Sequence, residues 1–365
     1  MSDLAVKDYV FRKGAANRIP VSGTFELTPR CNFRCKMCYI HMDGEEQRCA
    51  GRELTTEEWL AAAKEAVDAG MIYLLLTGGE PLLRPDFMKL YVSLVQMGLL
   101  LTVNTNASLI TPEIVECFRK YPPEKVNVSI YGMSEQTYGN LCGNAGGFEK
   151  SMEGIRKLKE AGIRVNLNTT FTKHNLPDME DIIEFARKEA IPVRTAAYVF
   201  PPVRNGHPVE EGNLTPDEMG KAGARFDWLT LDEKQKQLRL RYVRICAGLE
   251  EAAEEKPQSK TASCMAGKGA FWISWNGSMY PCGMLAEHGQ DVKTLGFRRA
   301  WENTVSQARA LCLPAACLDC RQRRLCPVCA AVCSTGSHEG ENPVPELCVR
   351  TGAYIREILH LAEKA

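Results

Sequence analysis

Cys31, Cys35 and Cys38 stand in the stretch CNFRCKMC, with three residues in the first gap and two in the second. Soft thiolates packed this closely select zinc, copper(I) or an iron–sulfur cluster. A structural zinc site takes four ligands, usually from two separated CxxC pairs. Here the next cysteine along the chain is Cys49. Three thiolates on a four-iron cube would leave one iron without a protein ligand, free to bind a substrate or cofactor. Zinc stays open as the alternative at this point.

A second concentration of sulfur lies near the C-terminus. Cys264 is followed by Cys282 at the end of a GxxxxC run from Gly277. Then come Cys317, Cys320, Cys326, Cys329, Cys333 and Cys348. These eight thiols suffice for two four-cysteine clusters, with zinc again as the alternative. The whole chain has 16 cysteines. Its first twenty residues lack an apolar core of signal-peptide length, so metal binding is expected before disulfides. Cys49, Cys117 and Cys142 are expected as free thiols, with Cys117 on a helix. Cys246 and Cys312 are reserve ligands.

The remaining sequence shows what must position these groups. Short β-rich runs alternate with longer helical patterns: GTFELT, MIYLLLT, LLLTVNT, KVNVSIY, RVNLNTTF and VRTAAYVF. Between them, TTEEWLAAAKEAVDAG begins at a threonine cap and stops at Gly70, and FEKSMEGIRKLKEAG also ends in glycine. Six strand–helix repeats imply an α/β fold with a parallel sheet and right-handed crossovers. Periodicity alone leaves an open sheet and an incomplete barrel as alternatives. After Phe200 come a proline- and glycine-rich connector, two helical stretches near 216–229 and 233–253, the cysteine-rich segment and a final amphipathic helix from Pro345. With 45 basic and 45 acidic residues, no basic excess points to nucleic acid. No apolar run could span a bilayer, and a cytoplasmic protein is expected.

CxxxCxxC directly after the first strand, together with TGGEP at Thr77 to Pro81, resembles the radical SAM superfamily. The resemblance implies a partial (β/α)6 TIM-like barrel. It also implies a [4Fe–4S] cluster on Cys31, Cys35 and Cys38. The open iron would bind S-adenosylmethionine (SAM), whose reductive cleavage gives a 5′-deoxyadenosyl radical that takes hydrogen from a substrate. Met37 stands where most members carry an aromatic residue. The arginine that several relatives place after the fourth strand is missing. In barrels, chemistry collects at the C-terminal strand ends. The SAM contacts expected there are Gly78, Gly79, Glu80 or backbone carbonyls beside it, Asn104, Asn106, Ser129 and Asn168, with Thr170 nearby and Tyr39 at the adenine edge.

The C-terminal cysteines resemble the SPASM domain, an extension that carries two auxiliary [4Fe–4S] clusters. Cys317, Cys320, Cys326 and Cys348 would hold the outer one. Cys264, Cys282 and Cys329 or Cys333 would hold the inner one. The expected domains are an N-terminal extension at 1–20, the barrel at 21–215, a helical linker at 216–260 and the auxiliary-cluster domain at 261–365. The first expectation for function is a maturase that crosslinks, oxidises or epimerises a peptide or protein. It would draw electrons from a donor such as flavodoxin or ferredoxin. The second is a small-molecule enzyme, an aminocyclitol dehydrogenase or a decarboxylase in haem-type cofactor synthesis. Anaerobic sulfatase maturases place an aspartate after the GxxxxC cysteine. Here Gly283 stands there, with Glu287 or Asp291 as substitutes. Tyr131, His174, Tyr198 and Arg204 are candidates for the substrate side. His41 is expected to cap the cluster loop, and Trp272 and Trp275 to shield the inner cluster.

Overall fold

The computed structural model describes residues 3–196, 199, 212–251, 264–285, 287–334 and 343–365. Helix α1 (Asp3–Asn17) leads into β1 (Ser22–Glu26). After a long loop and the short α2 (Gly44–Ala50) come α3 (Thr56–Asp68), β2 (Tyr73–Thr77), α4 (Phe87–Gln96), β3 (Leu100–Thr105), α5 (Pro112–Lys120) and β4 (Lys125–Ser129). Next are α6 (Glu135–Cys142), α7 (Gly147–Glu160), β5 (Val165–Thr170), α8 (Met179–Lys188) and β6 (Val193–Ala196). Beyond them lie α9 (Pro216–Thr230), α10 (Glu233–Ala247), β7 (Ala270–Ile273), β8 (Ser278–Tyr280), β9 (Gln290–Asp291) and α11 (Val292–Ala310). Three more helices, α12 (Ala315–Leu318), α13 (Ala330–Ser334) and α14 (Pro345–Lys364), complete the chain. All six expected strands are present.

The chain forms two compact units. One comprises Met1–Asn168, Pro201–Pro208 and Cys264–Ala310; the other comprises Thr169–Phe200, Val209–Ser263 and Leu311–Ala365. The cysteine-rich segment is therefore divided, with Cys264 and Cys282 in the first unit and Cys317 to Cys348 in the second.

The first unit is an open, mostly parallel sheet in the order β5-β4-β3-β2-β1-β7-β8-β9. Strands β1 to β5 pair in parallel with their sequence neighbours, as the strand–helix repeat requires. Strand β7, outside the expected set, extends the sheet by pairing in parallel with β1, and β8 and β9 follow antiparallel. One sheet face is apolar. Phe25 lies 4.6 Å from Trp59 of α3, both fully buried, and burial of a phenylalanine contributes about 2–3 kcal/mol. Helix α3 starts with a capping box between Thr55 and Glu58, and Gly70 follows its end at φ +107°. The other sheet face is polar. There the Asn127 side chain donates to Asn104 Oδ1 at 2.8 Å, across the register that pairs them. Helix α1 packs on that face: Phe11 meets Tyr73 at 5.2 Å, and Lys7 reaches Glu124 at 2.6 Å.

In the second unit, the stretch expected as a helical linker builds α9 and α10. These pack with α14 through Ala224, Val243, Cys246, Tyr354 and Ile358. A Cβ on Gly220 would lie 2.3 Å from the Arg350 carbonyl, so only glycine lets α9 approach α14 this closely. Helix α10 ends at Gly248 in the left-handed conformation, short of the expected 253. A smaller core of Leu313, Val332, Cys333, Val344 and Leu347 underlies the cysteines. Among the described residues, no helix is long and apolar enough to cross a membrane.

Candidate active site at the cluster loop

The loop after β1 is held on two sides. On the first, the TGGEP turn runs against its start: Gly79 N–H donates to the Thr28 carbonyl and Glu80 N–H to the Arg30 carbonyl, each at 2.8 Å. Gly78 has φ +155°, and a Cβ there would lie 2.6 Å from Thr28 O. A Cβ on Gly79 would lie 2.3 Å from Arg30 O. The two glycines are thus required by backbone approach. On the second side, α6 presents its last carbonyls. Arg34 N–H donates to Cys142 O at 2.8 Å, and Lys36 N–H donates to Leu141 O at 3.0 Å. Glu53 braces the base by accepting from Thr28 Oγ1 at 2.6 Å and Arg30 Nε at 2.8 Å. The buried Arg84 donates to the Leu27 and Leu54 carbonyls, each at 3.1 Å.

Within this frame the three sulfurs are half-buried. Cys31 Sγ accepts from Phe33 N–H at 3.3 Å, and Cys38 accepts from the backbone N–H groups of Ile40 and His41. That is the capping part expected of His41. Burial pushes the Cys31 thiol up to about 12 and the Cys38 thiol to about 11. Cys35 is raised chiefly by its hydrogen bond with Cys142, and then by burial. Three thiolates hold together here only around a cation, and binding one releases protons. Backbone N–H groups aimed at sulfur, and three donors on one loop, fit a cube that takes one thiolate per iron. Among the described residues, no three His, Cys, Asp or Glu side chains crowd together as they would round one metal ion.

Of the expected SAM contacts, Gly78, Gly79, Glu80 and Asn106 adjoin this loop. Glu80 is fully buried. It accepts from Thr105 Oγ1 and Asn106 N–H at 2.8 Å each and from Leu82 N–H at 3.1 Å. Burial, opposed by these donors, lifts its pKa to about 7. Its carboxylate ties the TGGEP turn to the end of β3, which leaves backbone carbonyls beside it as the readier acceptors for an ammonium. Asn106 donates to Asn32 Oδ1 at 2.9 Å and approaches Cys31 Sγ at 3.9 Å. Asn104, Ser129 and Asn168 stand on the polar sheet face, with Ser129 opposite Asn168. Tyr131, hydrogen-bonded to the Ser129 side chain, is half-buried, and burial raises its pKa. Tyr39 is half-buried just after Cys38. Met37 packs against Phe33, Tyr138, Leu141 and Cys142, taking the apolar place of the family's aromatic.

Residues 25–186 match the family described as the radical SAM superfamily. The AdoMet-dependent heme synthase of Methanosarcina barkeri is 30% identical over 338 residues, 87% of this chain and 94% of that protein. The chain belongs to the radical SAM superfamily. Members of it use SAM and a [4Fe–4S] cluster. The sporulation killing factor maturation protein SkfB of Bacillus subtilis is 29% identical over 72% of this chain and 60% of its own length. The structure of Streptococcus suis SuiB bound to S-adenosylmethionine shares the fold. Its TM-score is 0.68 at 16% identity, covering 92% of this chain and 78% of SuiB.

In the second unit of this radical SAM protein, Cys317, Cys320, Cys326 and Cys348 lie close enough to disfavour one another's ionisation. Cys333, raised to about 11 mainly by burial, feels Cys317, Cys329, Cys326 and Cys348. These six expected ligands lie in the same unit, near enough to influence one another, without three of them being drawn together as round one metal ion. Cys246 is buried in the helical core instead, and Cys49 and Cys312 are exposed. Tyr198 and Arg204 lie outside the described residues. His174 is in the second unit, beside Gly212. Trp275 is buried in the turn before β8, its carbonyl accepting from Leu54 N–H.

Several site residues were missed by sequence reasoning. Glu26, fully buried at the end of β1, accepts from Trp272 Nε1 at 2.8 Å. Asn32, Glu53 and Arg84 carry no motif of their own. Asp291 accepts from Lys293 N–H at 3.0 Å and Thr294 Oγ1 at 2.9 Å, so it caps α11, while Glu287 is exposed. A Cβ on Gly283 would lie 2.9 Å from the Trp272 ring, so a side chain where the maturases place their aspartate would have to displace that ring.

Proposed function

We propose that this radical SAM enzyme acts on a tetrapyrrole, oxidatively decarboxylating a carboxyethyl side chain in haem formation. The supporting observation is the similarity to the AdoMet-dependent heme synthase, which covers 87% of this chain and 94% of that protein. SkfB covers a smaller share of both chains. In this reading Cys31, Cys35 and Cys38 hold the cluster. Tyr39, the TGGEP backbone, Asn104, Asn106, Ser129 and Asn168 line the SAM place. The cluster, when bound, supplies the electron that cleaves SAM. The cysteine loop, TGGEP turn and α6 hold that chemistry away from bulk water. Conversion of a carboxyethyl group to vinyl removes one hydrogen atom, one CO2 and one electron. That electron needs an acceptor, a role suited to an auxiliary cluster held by Cys317, Cys320, Cys326 and Cys348 of the second unit.

The decisive experiment incubates anaerobically reconstituted enzyme and SAM with an iron-bound, carboxyethyl-bearing porphyrin. We expect 5′-deoxyadenosine together with a product lighter by one CO2 and two hydrogen atoms for each carboxyethyl group converted, read by mass spectrometry. A second reading, peptide maturation, is favoured by the similarity to SkfB across 72% of this chain. Stimulation of 5′-deoxyadenosine by a protease-sensitive fraction of host extract, with none by the porphyrin, would replace the first reading with the second. The replacement of the maturase aspartate by Gly283 under Trp272 argues against formylglycine formation.

A further inference from the structure

Cys142 is the last residue of α6 and is fully buried, with Cys35 of the cluster loop packed against it. The two segments are tied backbone to backbone on either side of Cys35. Arg34 N–H donates to the Cys142 carbonyl at 2.8 Å, and Lys36 N–H donates to the Leu141 carbonyl at 3.0 Å. Gly143 caps α6 in the left-handed conformation, and a Cβ there would stand 3.3 Å from the Arg34 Cβ, so glycine lets the loop come this close. The three loop sulfurs differ in their partners. Cys31 and Cys38 accept from backbone N–H groups, whereas Cys35 is hydrogen-bonded to the Cys142 thiol. Backbone hydrogen bonds on both sides of Cys35 keep the two cysteines within reach of a disulfide, whose Cα atoms stand no more than about 7 Å apart. The thiol contact shows that the side chains already point at each other.

We propose that Cys35 and Cys142 form a redox latch: once the cluster is lost, the two thiols close to a disulfide that withholds Cys35 from iron until it is reduced. The assignment rests on Cys31, Cys35 and Cys38 as the cluster ligands and is independent of the substrate. The oxidant is a small disulfide of the glutathione class. Cys35 is half-buried and Cys142 fully buried, so Cys35 meets it first. The Cys35 thiolate attacks one sulfur of the small disulfide, a mixed disulfide forms and one small thiol leaves. Cys142, already in contact, gives up its proton and attacks the Cys35 sulfur, and the second small thiol leaves. The protein has lost two electrons and two protons, and the small disulfide has gained them as two thiols. The backbone has little to move, because its hydrogen bonds already hold the loop on α6. The latch leaves Cys31 and Cys38, one thiolate short of the three that the cube takes from this loop. It also shields Cys35 from irreversible oxidation to the sulfinic acid.

The test takes the full chain, stripped of iron by a chelator under anaerobic conditions. It is equilibrated with oxidised glutathione, alkylated and mapped by mass spectrometry of its peptides. A Cys35–Cys142 cross-link is expected, and none in the cluster-loaded chain handled the same way. A preassembled [4Fe–4S] cluster is then transferred from a thiol-free carrier. The change that SAM makes in the EPR signal reports the N-terminal site alone. The oxidised wild type is expected to lose most of that signal and to recover it after dithiothreitol. Cys142→Ala is expected to keep it through the oxidation, and Cys142→Ser takes its place if the alanine variant does not fold. Free Cys35 after the oxidation, linkage of Cys35 to Cys31 or Cys38 instead, or equal loss of the signal in the Cys142 variant would overturn the latch. Retention of the signal in Cys35→Ala would instead overturn the ligand reading, and the proposal with it.

Discussion

Arg34 N–H donates to the Cys142 carbonyl at 2.8 Å, so the cluster loop is docked on the end of α6 by its own backbone. The same helix end buries the Cys142 side chain against Cys35. Cys142 is a fourth sulfur beside the three expected ligands, yet it sits in the apolar packing with Phe33, Tyr138 and Leu141. We expect Cys142→Ala to keep the iron of the N-terminal site, at a stability cost of about 1 kcal/mol. Cys35→Ala should lose it. Iron analysis and EPR of the two variants check this, and loss of the cluster in Cys142→Ala would make Cys142 a ligand.

Glu80 carries a pH dependence. Its pKa in the fold is about 7, against an ordinary 4.5. Between those values the folded chain holds a proton that the unfolded chain has released. Stability of the metal-free chain should therefore fall as pH rises from about 4.5 to about 7, by on the order of 3 kcal/mol, and level off above. Thermal unfolding at a series of pH values measures the slope. Glu80→Gln should give a flatter but lower curve, because its amide NH2 faces a backbone N–H that the carboxylate accepted.

Backbone approach makes a sharper demand at Gly79. A methyl group there would sit 2.3 Å from the Arg30 carbonyl, with no flexible side chain to yield. Gly79→Ala should push the turn off the loop, cost about 2 kcal/mol or more and sharply lower iron incorporation. Gly98→Ala serves as the comparison. Its Cβ would meet nothing within 4 Å, although its φ of +86° carries some strain. Equal iron content in the two variants would remove the steric argument.

The Trp272 indole N–H is the donor that holds Glu26 in the sheet. Removing it in Trp272→Phe takes a hydrogen bond from a buried carboxylate, an effect of about 1–3 kcal/mol. Replacing both residues, with Glu26→Leu, should cost less than the two single changes added together. Urea unfolding of the four proteins gives that difference, and simple additivity would mean the pair is not coupled.

Local chemistry was readable in the sequence because it depends on neighbours along the chain. The CxxxCxxC spacing, the paired glycines of TGGEP, the six alternating runs and the threonine-capped helix after Leu54 each advertise themselves within a few residues. The same holds for the gathering of Cys317, Cys320 and Cys326. By contrast, Glu26 looks like any strand residue until Trp272, 246 positions later, is folded beside it. Strand β7 is too short to stand out, and only pairing with β1 makes it part of the sheet.

The sequence by itself determined that three thiols would share one loop after the first strand, next to a glycine turn that could approach it. Spacing and backbone freedom are carried by the residues concerned. Tertiary structure alone decided that Glu80 would be spent on Thr105 and Asn106, that α6 would bring Cys142 against Cys35, and that Trp272 would fill the space beside Gly283. Burial and hydrogen-bond partners at those positions come from segments far apart in sequence, and they exist only once the sheet has brought those segments together.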